Sequence, residues 1–210
     1  MASNNINYNQ SGDFLNSKQK EAAEHLTGPV LIAAGAGSGK TRTLTSRLIK
    51  LIESGVSPES IVAVTFTNKA AKEMANRVAN LQPPTSNLQP PFIGTLHSFG
   101  VGILKREAGF FSRGQNFSIF DSDDSLRLIK RIIKIMDVDA DQLPAAAAQN
   151  KISWLKNELI TPRQFKLQTE TVFEKRTALV FQRYEESLAR NNAFDFDDLI
   201  EKPVRLFKKN

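Results

Sequence analysis

Residues 34–41 read AGAGSGKT and follow the apolar run PVLIA (29–33). Glycines at 35, 37 and 39 let a backbone curl until several N–H groups converge on one small volume. Lys40 adds a mobile cation and Thr41 a hydroxyl suited to a hard divalent metal. That combination is the chemistry of gripping a polyphosphate, so Ala34, Gly35, Ala36, Gly37, Ser38, Gly39, Lys40 and Thr41 are the candidate nucleotide-binding residues. The strict pattern has Gly at the first position, where this chain has Ala34. A bland Gly-Ser turn followed by an incidental Lys-Thr is the competing reading, and the flanking elements argue against it. Such a loop fixes only a ligand class, because kinases, GTPases, transporters and motors share it.

A loop of this kind is expected between a strand and a helix. PVLIA reads as a buried strand, and Thr41 to Glu53 carries Leu44, Leu48, Leu51 and Ile52 at the spacing of one buried helical face. Upstream, NSKQKEAAEHL starts on the capping residue Asn16 and reads as a short helix closed by Thr27-Gly28. Downstream, IVAVTF (61–66) is a second apolar strand, and Lys69 to Leu81 a second helix with Ala70, Met74 and Val78 on one side. FIGT (92–95) is a third strand, and Leu96 to Glu107 a helix with Phe99, Ile103 and Leu104 inward. This βα alternation predicts a parallel sheet covered by helices. Between them NLQPP occurs twice (80–91), a proline-rich surface loop.

After Gly109 the character shifts, which marks a domain boundary; NFSIFD (116–121) is a strand-like run, and from Asp121 the pattern becomes almost wholly helical. SDDSLRLIKRIIKIM has acidic residues in its first turn and basic ones later, as the helix dipole favours, with Asp121 as its cap. A helix follows Pro144, a short one starts at Thr161, VFEKRTALVFQRYEESLARNN is long, and DFDDLIEKPVRLFKKN is a last helix interrupted by Pro203. Trp154, beside Ile152 and Leu155, is expected in the core rather than stacked on a base. The expected organisation is a tail (1–13), a nucleotide-binding core (14–108), a helical insertion (109–193) and a return into the core (194–210).

Composition narrows the partners. With 28 Lys+Arg against 22 Asp+Glu, the net charge of +6 favours polyanions modestly. No apolar run is long enough to cross a membrane, the N-terminus has no secretory pattern, and without cysteine there is no disulfide or thiolate metal site; a cytoplasmic protein is the expectation.

Four further stretches are specific together. LNSKQKEAAEH (15–25) resembles the Q motif of the UvrD/PcrA/Rep-like superfamily 1 DNA helicases, AGAGSGKTRTL (34–44) their motif I, AVTFTNKAAKEMANRV (63–78) motif Ia and GTLHSFGVGILKR (94–106) motif Ib. FDFDDLI (194–200) resembles the segment that returns from their helical insertion to the motor core. The resemblance runs from about residue 14 to the end and implies an α/β fold: a RecA-like P-loop NTPase, its parallel sheet covered by helices on both faces, with an inserted all-α subdomain and an incomplete core. It implies ATP with Mg²⁺, Gln19 reading adenine, Arg42 near the nucleotide and Thr41 on the metal. Phe66, Asn68, Thr95, His97 and Ser98 are then expected along single-stranded DNA, although Phe66 also fits a core position.

The family's D-E-x-Q-D carboxylates, which hold Mg²⁺ and orient water, do not occur in these 210 residues. Asp121 and the FDFDD aspartates read as helix caps instead. The resemblance therefore implies the ATP-binding part of a 3′ to 5′ helicase acting on single strands and junctions, inactive in turnover by itself and prone to self-association. A P-loop transferase and a non-enzymatic nucleotide- or DNA-binding module are the competing readings; DNA-stimulated turnover separates them.

Overall fold

The computed structural model describes residues 15–79, 89–137 and 142–209. The expected tail and most of the NLQPP loop lie outside them. The chain forms two compact units, 1–96 and 97–210.

In the first unit Asn16 caps helix α1 (Ser17–Glu24) through a reciprocal capping box with Gln19. Helix α2 (Lys40–Glu53) follows the glycine loop, strand β1 (Val62–Thr65) comes next, then α3 (Asn68–Ala79) and β2 (Phe92–Thr95). β1 and β2 pair in parallel, Val62 opposite Phe92 and Thr65 opposite Thr95. Helix α3 packs against both strands and buries Ala71, Met74 and Val78, so Ala71 takes the place expected of Ala70.

Two expectations fail in this unit. PVLIA joins no ladder among the described residues, and Leu31 is 93% exposed. A strand is stabilised by its neighbours rather than by its own propensity, and this run has no paired neighbour. The face of β1 bearing Val62 and Val64 is also open, so cover on both faces is not observed. Along α2 the buried side chains are Thr43, Thr45 and Leu48, while Leu44 is exposed. Thr43 and Thr45 can be buried because their hydroxyls donate to the carbonyls of Gly39 and Thr41.

The second unit is denser. Its elements are α4 (Leu96–Glu107), β3 (Ser118–Phe120), α5 (Ser122–Ile135), α6 (Ala145–Asn157), α7 (Pro162–Lys166), α8 (Val172–Arg190), β4 (Ala193–Asp195) and α9 (Asp198–Lys209). Asp121 caps α5 as expected, and the helical run beyond it is interrupted by one short strand, β4, which pairs in parallel with β3. A continuous core joins α5, α6, α7 and α8 through Ile129, Ile133, Ile152, Phe165, Phe181 and Leu188. Trp154 points away from it, 49% exposed, with the Lys151 ammonium 4.6 Å from its ring. The core stripe of α6 runs through Ala148, Ile152, Leu155 and Lys156, which leaves Trp154 on the outer face.

Helix α9 continues through Pro203, where an interruption was expected. Proline has no N–H for the carbonyl four residues back, that of Leu199. That carbonyl instead faces α4, where a Cβ built on Gly100 would stand 1.7 Å from the Leu199 oxygen. Only a hydrogen fits there, in the geometry of a Cα–H···O contact.

Candidate functional site

The glycine loop is shaped by two left-handed residues, Gly37 (φ 74°) and Gly39 (φ 81°). Gly39 immediately precedes α2, so the N–H groups of Lys40, Thr41 and Arg42 form the open first turn and the positive end of the helix. A side chain at 39 would meet Gln19 Nε2 at 2.9 Å and the Arg42 guanidinium at 3.3 Å, so only glycine brings these two side chains onto the loop. The Ser38 hydroxyl donates to the Gly35 carbonyl at 2.7 Å and closes the turn.

Lys40 Nζ donates to the carbonyls of Ala34 and Gly35 at 2.8 and 2.7 Å, which holds the ammonium across the mouth of the loop on a stem that can swing. Gln19 donates to the Ser38 carbonyl at 2.8 Å while its Oε1 accepts from the Asn16 N–H, so it is both a helix cap and a clasp on the loop. The cleft beside the loop measures about 460 Å³ and is lined by residues 37–42 together with Arg77 of α3. Arg77, paired with Glu73 at 2.7 Å, was not singled out by the sequence. Its signal was faint, since an i,i+4 pair on a helix usually marks a solvated face. Lys40, Arg42 and Arg77 give this cleft three cations.

The donor set fits a nucleoside triphosphate: converging N–H groups, cations and a cradle over Gly39 that a Cβ would fill. Thr41 offers one hydroxyl to a metal carried with the nucleotide. Among the described residues no group of three or more His, Asp or Glu side chains is arranged to hold a metal alone.

The residues expected on DNA fall in both units. In the first, Phe66 follows β1 and is fully exposed, which removes the core alternative; Asn68 opens α3 and is exposed, and Thr95 ends β2. In the second, His97 and Ser98 are exposed in the first turn of α4, and the His97 ring meets the edge of Phe196 at 5.7 Å between centroids. Phe196, half exposed between β4 and α9, is an aromatic that sequence reasoning missed.

A larger omission lies beneath it. Lys156 is buried and its ammonium reaches Asp195 at 2.6 Å, Glu185 at 2.7 Å and Asp198 at 2.9 Å. Lys202 reaches Glu185, Asp198 and Glu201 at 2.9, 3.2 and 3.1 Å. Asp195 and Asp198 also cap one another's N–H groups at 3.2 and 2.9 Å, so the expected cap is real but the same carboxylates are bound to lysines. Tyr184 must donate to Asp195, which can only accept, and therefore takes its second bond from the Ser125 hydroxyl.

Burial opposes charge on Lys156, but Asp198, Glu185 and Asp195 outweigh it and hold the ammonium well above the ordinary lysine value. Burial likewise pushes the Asp198 carboxyl up, against the pull of Lys156. Burial would also raise Glu185, yet Lys156 and Lys202 bring it below the ordinary carboxylate range. The legible signal was a lysine at Ile152+4, on the apolar stripe of its own helix, paired with clustered aspartates in an apolar run.

With this geometry in view, comparison with known proteins decides the family. Residues 15–210 match the sequence profile described as the UvrD/REP helicase N-terminal domain. The chain belongs to the UvrD/REP helicase family. It is 42% identical over 196 residues to the ATP-dependent DNA helicase PcrA of Staphylococcus epidermidis (strain RP62A), covering 93% of this chain and 27% of that protein. Against the protein of the same name from Staphylococcus aureus (strain Mu50) it is 40% identical over 198 residues, 94% of this chain and again 27% of the relative. The chain thus spans about a quarter of the length of these UvrD/REP relatives. No helix among the described residues is long and apolar enough to cross a membrane.

Proposed function

We propose that these 210 residues are the ATP-binding portion of an ATP-dependent DNA helicase that moves 3′ to 5′ on single strands and acts at junctions, working in the cytoplasm. The observation that carries the reading is the loop itself: Gly39 in the left-handed conformation under Gln19 and Arg42, with Lys40 across its mouth. A bound triphosphate would lie against the N–H groups of α2, with Lys40 exchanging its two carbonyl partners for phosphate oxygens. Mg²⁺ would take Thr41 as one ligand and neutralise charge on the phosphates. Gln19 presents a carboxamide to an adenine edge once it releases Ser38.

Phe66, Asn68 and Thr95 of the first unit, and His97 and Ser98 of the second, contact the single strand by stacking and by hydrogen bonds to its backbone. Phe196, in edge contact with His97, joins them. The isolated chain binds nucleotide without efficient turnover. In support, the candidate carboxylates are otherwise committed: Asp121 to capping α5, and Asp198 to Lys156 and Lys202. Its open apolar surface at Leu31, Val62 and Val64 favours self-association.

The test is magnesium-dependent ATP hydrolysis with and without single-stranded DNA, beside nucleotide binding by Lys40→Ala. The expected result is no appreciable turnover and binding weakened about tenfold or more by the loss of a charge-assisted bond. DNA-stimulated turnover that needs Lys40 would overturn the inactive reading, and unchanged affinity in Lys40→Ala would overturn the site.

A further inference from the structure

Helix α1 carries Gln19, yet little of it is packed. It has eight residues, fewer than a helix needs to persist by itself in water, and it buries only Ala23. Its seat therefore depends on ties made at its two ends. At the N-terminal end Gln19 closes the capping box on Asn16 and donates to the Ser38 carbonyl at 2.8 Å. At the C-terminal end the His25 N–H returns to the Glu21 carbonyl at 3.1 Å. The next carbonyl, that of Ala22, is among those a helix leaves without an internal partner. Arg47 supplies one: its Nη1 donates to the Ala22 oxygen at 3.2 Å.

Arg47 stands near the middle of α2, about 10 Å along the helix from Lys40. One rod thus opens on the N–H groups of the glycine loop and, two turns later, grips the far end of α1. A guanidinium suits the place twice over. Its charge lies at the negative end of α1, and its planar fork holds a direction that a flexible lysine stem does not. Arg47 is not among the residues lining the cleft beside the loop. The two ties of α1 differ in what nucleotide binding does to them. Gln19 must release Ser38 before its carboxamide can meet a base, whereas the bond from Arg47 to Ala22 is untouched by that exchange.

We infer that Arg47 is a positioning residue for base recognition: it keeps α1 seated on α2, so that the Gln19 carboxamide stays in register with adenine after its own clasp has opened. The inference rests on the adenine reading above and adds to it a residue outside the cleft. A carboxamide held in one place donates to the ring nitrogen of adenine and accepts from its amine. Guanine offers two acceptors on the same edge and leaves the Gln19 oxygen unmatched. A helix free to tilt loses that discrimination while the loop still grips phosphates.

The experiment measures equilibrium binding of ATP, GTP and base-free tripolyphosphate, each with Mg²⁺, to the 210-residue chain. The variants are Arg47→Ala, Arg47→Lys, Gln19→Ala and the double substitution of Gln19 and Arg47 by alanine. Wild type is expected to prefer ATP over GTP about tenfold, the worth of one or two hydrogen bonds. Arg47→Ala should lose most of that preference while its affinity for tripolyphosphate changes by less than about twofold, and Arg47→Lys should recover part of it. In the Gln19→Ala background, removing Arg47 should cost nothing further in ATP affinity, because the two residues act through one contact.

An Arg47→Ala protein that keeps the wild-type preference would overturn the inference and leave the adenine reading standing. Equal weakening of ATP and tripolyphosphate, or an undiminished cost of Arg47→Ala in the Gln19→Ala background, would also overturn it, since Arg47 would then be supporting the loop. A wild type that binds ATP and GTP alike would overturn the adenine reading and the inference with it.

Discussion

Two parallel ladders of the same kind sit in very different surroundings. β1 exposes Val62 and Val64 at 47% and 49%, whereas every residue of β4 is buried. Phe194 in β4 has Phe111 and Phe117 edge-on at 6.1 and 4.8 Å and the Arg113 guanidinium 4.3 Å over its ring. Arg113 also donates to the Ala193 carbonyl at 2.7 Å, so the strand is enclosed on its faces and held along its edge. The difference separates two jobs. The first unit carries the glycine loop on sparsely covered scaffolding, while the second has a continuous core beside a network of buried charge. Local stability should follow that division, since opening is easiest where few apolar contacts must be broken.

The largest test of the contrast is Lys156→Ala, which leaves Asp195, Asp198 and Glu185 without their shared cation. Removing one partner of a buried ionic group costs about 3–5 kcal/mol, read as a loss in denaturant midpoint. A loss under about 1 kcal/mol would mean that the network is hydrated and the contrast overstated.

Next is Gly100→Ala, where the new methyl would collide with the Leu199 carbonyl. Because that obstacle is backbone, we expect about 1–3 kcal/mol of destabilisation confined to the second unit by hydrogen exchange. Equal loss of protection in both units would break the comparison.

Alkali should act on the second unit first. Lys156 and Lys202 are held above their ordinary 10.5, and Tyr184, by burial and then Asp195, above its ordinary 10.0. Groups whose folded value is raised give stability that is fully present below the unfolded value and is lost as pH rises from there through the folded one. The melting temperature of the second unit should therefore fall from about pH 10 upward. A flat profile there would contradict the network.

The smallest effect is expected at β1. Val64→Thr on the open face should change stability by less than about 0.5 kcal/mol while lowering any concentration-dependent association seen by sedimentation. A larger loss would show that this face is covered after all.

Much of this was legible in residue order. The glycine loop, its helix, the caps at Asn16 and Asp121, and strands 62–65 and 92–95 all announce themselves locally through turn chemistry and periodicity. What escaped depends on non-local partners. PVLIA has the composition of a strand, but composition supplies no neighbour to pair with. Trp154 has the composition of a core residue, yet the helical phase set by Ile152 and Leu155 turns it outward. Lys156 runs opposite: a lysine suggests solvent, and only the fold brings three carboxylates around it. At the site, the loop residues were readable from spacing, while Arg77 and Phe196 reach their positions through packing that sequence separation hides.

Gly100 and Pro203, more than a hundred positions apart, describe one event from two sides. The proline frees the Leu199 oxygen and the glycine gives it somewhere to go. Anyone redesigning this chain should treat them as a single character with two letters. Alanine at 203 would restore the donor for that oxygen and lighten the penalty of alanine at 100, so the double substitution is expected to be milder than the sum of its halves.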